Sequence, residues 1–413
     1  MKPNVTFDRT IVTVAHDAVV NTLIELVAPP APTADRPPLD IVLVLDKSGS
    51  MNGQPIESVK AATAQLLRIL GADDRVAVVA FDNTVELVLD LGRHDVDQAI
   101  AKVNAIHGGG STNLSGGWLK AVELLEGSVR AEALRRVVLL TDGQANVGVV
   151  DPDQLCTHTA AARAKGVTTT TIGFGSDYDE QLLSQLADAG AGNDYWCAGP
   201  DQAPQIFNDE FEGLASVVAQ NVSVELRPSP DVLGVRVLNE FPITNVAGGV
   251  QIALGDAYGD EKRRVVAEFL VPPVRDPGAF TLGEIVLRWT AIGEDIELHT
   301  VTVPIGIGVS ADPDAVDPDA DPAVTEQVNV LRAAEERRTA LDAIRMGDYD
   351  SAGRAFSVAA DLLESSGGDA MLIRELRLDS TRASNGEWSA MDTKKQWSNR
   401  RASTKGRKTR YDD

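Results

Sequence analysis

The run Ile41-Val42-Leu43-Val44-Leu45 restricts the fold more than any other segment. Consecutive large apolar residues cannot alternate between a core face and a solvent face. Bounded by a Pro-rich stretch and a Gly/Ser turn, the run reads as a buried strand of a parallel sheet. It ends in Asp46-Lys47-Ser48-Gly49-Ser50-Met51. One carboxylate and two Ser hydroxyls are thereby delivered to the carboxyl end of a strand, where open α/β sheets bind ligands. These are hard oxygen donors, suited to Mg²⁺ and not to a soft metal.

Short apolar runs alternate with helical patterns through residues 39–219. Arg75 to Phe81, Val137 to Thr141, Val167 to Ile172 and Asp194 to Cys197 read as strands. Ile56 to Leu70, Val96 to Ile106, Leu114 to Leu125, Gln154 to Ala164, Gln181 to Ala187 and Pro204 to Ala219 read as helices. This alternation predicts an α/β fold with a doubly wound, mostly parallel sheet. Thr84 to Leu91 follows Phe81 after a very short turn and should pair antiparallel at an edge.

Two further segments carry oxygen donors. Gly108-Gly109-Gly110-Ser111-Thr112-Asn113-Leu114 is a glycine-rich loop that presents a Thr hydroxyl before a helix, and Val137 to Gly143 is a buried strand ending in Asp142-Gly143. With these in place, residues 39–219 resemble the von Willebrand factor A (VWA) domain family. Its metal-ion-dependent adhesion site (MIDAS) is D-x-S-x-S followed by a Thr and an Asp on two later loops. The matching positions are Asp46, Ser48, Ser50, Thr112 and Asp142. The resemblance implies that Ser48, Ser50 and Thr112 hold a divalent cation directly, with Asp46 and Asp142 direct or through water. Mg²⁺ is the expected ion, with Mn²⁺ or Ca²⁺ as substitutes. It further implies a metal-dependent protein–protein interaction, completed by a Glu or Asp carboxylate from a protein partner. Met51, Ser111, Asn113 and Gly143 are expected at the partner-binding rim.

The flanks differ in kind. Residues 1–29 and 220–310 carry alternating apolar and polar strand patterns separated by Gly, Pro and Asp turns, the mark of a β-sandwich. The N-terminal strands are too few for a sheet of their own. The expectation is one antiparallel β-sandwich into which the VWA domain is inserted, a layout that resembles inter-α-trypsin inhibitor heavy chains and related bacterial VWA proteins. Residues 311–322 read as an acidic Asp/Pro linker, 323–367 as a helical hairpin, and 368–413 as a C-terminal segment with a basic tail.

Composition excludes several classes. The formal charge of −23 over 413 residues disfavours nucleic-acid binding, although Lys394 to Arg410 holds eight basic residues and no acid. No apolar stretch approaches the roughly 20 residues of a membrane span, and the N-terminus lacks a signal-peptide core, so the expected location is cytoplasmic. Two cysteines exclude a disulfide scaffold. Neither a P-loop nor a G-x-S-x-G motif occurs, and the sequence suggests no nucleophile–base pair, so no enzymatic activity is expected. The alternative function is that of a regulatory or adaptor subunit in an AAA+ ATPase-type or metal-chelatase-type complex. The sequence is silent on oligomeric state.

Overall fold

Ile41 to Leu45 lie fully buried in a strand that is hydrogen-bonded on both sides, as an all-apolar run requires. The computed structural model describes the chain except residues 32–35, 129, 131, 200–201, 293–296, 316, 318 and 406–413. Parts of the Pro-rich stretch and of the expected acidic linker, and the end of the basic tail, lie outside the described residues.

The chain opens with β1 (Lys2–Phe7), β2 (Ile11–Thr13) and β3 (Ala18–Val27). There follow β4 (Leu39–Asp46), α1 (Gln54–Ile69), β5 (Arg75–Phe81), β6 (Val85–Gly92), α2 (Val96–Asn104) and α3 (Leu114–Glu126). Next come β7 (Leu134–Thr141), α4 (Pro152–Ala164), β8 (Val167–Phe174), α5 (Glu180–Ala189), β9 (Ala191–Cys197) and α6 (Ala203–Ala215). The remaining strands are β10 (Val217–Pro228), β11 (Gly234–Val237), β12 (Ile243–Val246), β13 (Gly249–Tyr258), β14 (Lys262–Val271), β15 (Gly278–Ala291) and β16 (Glu297–Ser310). Helices α7 (Pro322–Arg345), α8 (Tyr349–Ser365), α9 (Ala370–Ser384) and α10 (Ala390–Thr404) close the described chain.

Two units form: Pro32–Val217, and Met1–Ala31 together with Val218–Asp413. In the first, the sheet order is β6-β5-β4-β7-β8-β9. Strands β5, β4, β7, β8 and β9 run parallel, and only β6 is antiparallel, as its short turn requires. The apolar rows of β4, β5 and β7 pack on α3 through Leu114, Trp118 and Leu125, all at most 1% exposed. Full burial of such aliphatic side chains contributes about 1.5–3 kcal/mol each. Asp95, Asp151 and Asp179 cap α2, α4 and α5 by accepting a backbone N–H.

In the second unit two sheets, β1-β3-β14-β11 and β12-β13-β10-β15-β16-β2, enclose a core containing Ile24, Val224, Val265 and Leu287. Strand β3 lies between β1 and β14, with Ile24 opposite both Val5 and Val265. The strands that precede the first unit therefore finish a sheet begun after it. Short β2 pairs in parallel with the end of β16. Asp317, in the stretch read as a plain linker, accepts the backbone N–H of Thr10 and Ile11 and the Thr10 hydroxyl at 2.5, 3.0 and 2.6 Å.

The expected helical hairpin is present as α7 and α8, but the segment after it is more than a basic tail. Residues 370–404 form two more helices, and Leu341, Phe356, Leu376 and Trp397 share one core with α7 and α8. The pattern hid α10 because three of its four basic residues, Lys394, Arg400 and Arg401, are themselves buried. Arg400 lies 1% exposed over the Trp397 ring, 4.7 Å from its centroid, and pairs with Glu240 at 2.5 Å. Among the described residues no helix is long and apolar enough to cross a membrane.

Candidate metal centre

Strand β4 ends in Asp46, which is fully buried. Its Oδ1 accepts the Ser48 backbone N–H at 2.7 Å, folding the chain back after the strand. Its Oδ2 accepts the Thr141 hydroxyl at 2.5 Å from the end of β7. Asp46 does not cap α1, whose N-cap is Gly53. Ser48 begins the 3₁₀ turn Gly49–Met51, yet its hydroxyl makes no cap bond. That hydroxyl instead lies 3.2 Å from Ser50 Oγ, and Ser50 Oγ donates to Asp142 Oδ1 at 2.7 Å.

The glycine-rich loop brings the fifth group. Gly109 N–H donates to Lys47 O at 2.7 Å, Gly49 N–H to Gly110 O at 3.1 Å, and Asn113 N–H to Asp82 O at 2.8 Å. Gly110 has φ +88°, and a Cβ there would come 2.2 Å from Asn83 Oδ1, so only glycine serves. Thr112 is 4% exposed. Its N–H is held by Asn146 Oδ1 at 2.8 Å, and its carbonyl accepts from the N–H groups of Asn146 and Val147.

One point in space relates these groups. A Cβ placed on Gly143 would lie 3.2 Å from Thr112 Oγ1 and 3.8 Å from both Asp46 Oδ2 and Ser50 Oγ. Glycine leaves this cradle open. The donor set fits a hard cation: adjacent ligands of octahedral Mg²⁺, bonded at about 2.0–2.1 Å, lie about 2.9 Å apart. The Ser48–Ser50 and Ser50–Asp142 separations of 3.2 and 2.7 Å bracket that edge. Among the described residues no three His, Cys, Asp or Glu side chains gather as a metal cluster; this centre relies on hydroxyls.

The carboxylates register their surroundings. Burial pushes Asp46 up to about 6, against the pull of the Thr141 and Ser48 hydrogen bonds, and the Asp142 charge adds to the rise. Asp142 is also raised, first by burial and then by Asp177, with Ser50 opposing. Both shifts come first from burial of the carboxylate.

The structure thus brings Asp46, Ser48, Ser50, Thr112 and Asp142 together. The rim expectation divides. Ser111 is exposed and Gly143 half-buried at the cradle. Met51 is fully buried, because the 3₁₀ turn carries it inward, so it offers no surface to a partner. Asn113 is spent on capping α3, where its Oδ1 accepts from Gly116 N–H and the Ser115 hydroxyl at 3.0 and 3.3 Å. Sequence reading missed Thr141, Asn146 and Asp177. The only signals available were the Thr directly before Asp142 and an Asn four residues after it.

The family profile of the von Willebrand factor type A domain matches residues 40–208. An uncharacterized protein of Synechocystis sp. is 28% identical over 344 residues, covering 79% of this chain and 78% of that one. The E3 ubiquitin-protein ligase WAV3 of Arabidopsis thaliana is 29% identical over 58% of this chain, which spans 32% of that protein. Inter-alpha-trypsin inhibitor heavy chain H4 of Sus scrofa is 30% identical over 36% of this chain and 17% of its own length. Among solved structures, a von Willebrand factor type A protein from Catenulispora acidiphila superposes with a TM-score of 0.71 at 19% identity, covering 91% of this chain and 88% of that one. The superposition shows a shared fold, and the family profile assigns the segment: residues 40–208 of this chain are a von Willebrand factor type A domain.

Proposed function

We propose that this domain is a metal-dependent interaction module that binds a carboxylate of a protein partner through a divalent cation held by Ser48, Ser50, Thr112, Asp46 and Asp142. The observation that carries the reading is the convergence of Thr112 Oγ1, Asp46 Oδ2 and Ser50 Oγ around the open side of Gly143. Asp46, Ser48 and Thr112 are buried while Ser50 is exposed, so the donor set is closed from below and open above. A cation ligated directly by neutral hydroxyls keeps its attraction for an external anionic oxygen. Mg²⁺, with its preference for oxygen ligands and an octahedron part-filled from outside, is the ion of choice.

A binding role is favoured over catalysis. The Asp46 carboxylate is engaged by Thr141 and Ser48, and that of Asp142 by Ser50, which suits them to holding charge. Titration calorimetry with Mg²⁺ or Mn²⁺ tests the centre. One site is expected, lost in Asp46→Ala; unchanged binding in that variant would sink the assignment. Partner capture that survives EDTA would equally remove the carboxylate-bridging role.

A further inference from the structure

Strand β6 forms an edge of its sheet, and among the described residues no strand pairs with its outer side. Along this edge Val85 and Leu87 are each 37% exposed, and Leu119 on the adjoining α3 is 43% exposed. Together with Gly116, Lys120 and Glu123 they line a hollow of about 350 Å³. Two large apolar side chains left open on an edge strand, with a third on the helix beside it, are unusual, because such edges recruit other strands unless guarded.

The hollow adjoins the metal centre. Val85 lies opposite Phe81, and Phe81 opposite Asp46, in register across β6, β5 and β4. Two strand spacings put Val85 about 10 Å from Asp46. On the helix side, the hollow starts at Gly116, one turn beyond Thr112. Leu87 follows Val85 on the same face of the strand, about 7 Å further on. On its helix side Lys120 and Glu123 line the hollow and pair with each other at 3.0 Å, so the rim carries one charge of each sign.

We propose that this hollow seats an extended segment of the same protein partner, added along β6, with a recognition pattern set by these distances. An acidic residue reaches the metal. About three residues further, the 10 Å spanned by extended chain, comes an apolar residue for the hollow at Val85, and another two positions beyond it for Leu87 and Leu119. The inference rests on the metal-bridging reading and adds to it a partner that is extended, acidic at one position and apolar at two.

The test is selection on the full chain from a displayed library of random dodecamer peptides in Mg²⁺, with elution by EDTA. The eluted pool should be enriched in Asp or Glu followed at that spacing by two alternating apolar residues. Leu87→Lys and Leu119→Lys, both on the surface, should each weaken binding of the pool about tenfold or more while calorimetric Mg²⁺ affinity stays unchanged, which also shows that they fold. An acidic pool without apolar preference, or one that binds the Lys variants equally, overturns the hollow and leaves the metal reading standing. A protein that titrates Mg²⁺ normally yet yields no EDTA-eluted pool overturns both. A concentration-dependent dimer abolished by Leu87→Lys would show a second copy in the hollow and overturn the proposal.

Discussion

Thr141 donates its hydroxyl to Asp46 Oδ2 at 2.5 Å and accepts the Gly143 N–H at 3.1 Å. One side chain therefore joins the ends of adjacent strands β4 and β7 and fixes where the open cradle lies. It also supplies a donor that keeps a buried carboxylate ionisable. Replacing Thr141 with Val preserves shape and removes that donor. A hydrogen bond to a charged group is worth about 1.5–3 kcal/mol, so Mg²⁺ affinity near neutral pH should fall about tenfold or more. Raising the pH should recover part of the loss, and calorimetry at two pH values checks both points.

Gly143→Ala tests the cradle itself. The added methyl would stand 3.2 Å from Thr112 Oγ1 and 3.8 Å from Asp46 Oδ2, in the space the donors share. Metal affinity should drop by at least about tenfold, whereas stability in EDTA should change by less than about 1 kcal/mol. Thermal melts with and without Mg²⁺ separate the two. An undiminished metal-induced rise in Tm would show that the cradle is not where the ion sits.

Asp46→Asn should trade binding for stability. Without metal, the folded-state carboxyl titrates at about 6, above the ordinary 3.8. Between those values the folded protein holds a proton that the unfolded chain has released, so stability from this group is full below 3.8 and falls as pH rises through about 6. At pH 7.5 the charge is a cost on the order of 2 kcal/mol. The Asn variant should unfold at a higher urea concentration in EDTA at that pH, lose the advantage near pH 4, and show no Mg²⁺ response.

Asp379 offers the same sign away from the metal centre. Burial and the neighbouring Glu375 push it to about 6, opposed by Arg382, Gln396 and Lys395. Gln396 Nε2 donates to its Oδ2 at 2.5 Å. Asp379→Asn keeps an acceptor for Gln396 and removes the charge. Allowing for solvent screening, it should stabilise the protein on the order of 1 kcal/mol at pH 8, with the gain vanishing toward pH 4. Urea melts of the two proteins across that range provide the check.

Some of this was legible in residue order. Apolar runs of strand length, set between amphipathic helices, announced the parallel sheet, because a strand covered on both faces has no polar alternation to show. The very short turn after Phe81 announced the antiparallel edge, and β6 is antiparallel to β5. Helices α9 and α10 were not legible. Their cores are thin, and Arg400 and Lys394 are buried through contacts that a periodicity reading counts as exposed.

What the sequence alone determined is local chemistry: which strands are apolar enough to be central, and that Asp46, Ser48, Ser50, Thr112 and Asp142 stand at strand ends or in a loop that must stay glycine-rich. Such properties depend on residue type and near neighbours. Tertiary structure decided everything that depends on distance between remote residues. It brought Thr112 Oγ1, Asp46 Oδ2 and Ser50 Oγ around one point. It turned Met51 inward and spent Asn113 on a helix cap. It recruited Thr141 and Asn146 as supports and closed the N-terminal strands onto β14. The physical reason is that side-chain direction and hydrogen-bond partnership follow from packing across the sheet, and packing joins residues that the sequence keeps up to 95 positions apart at this centre.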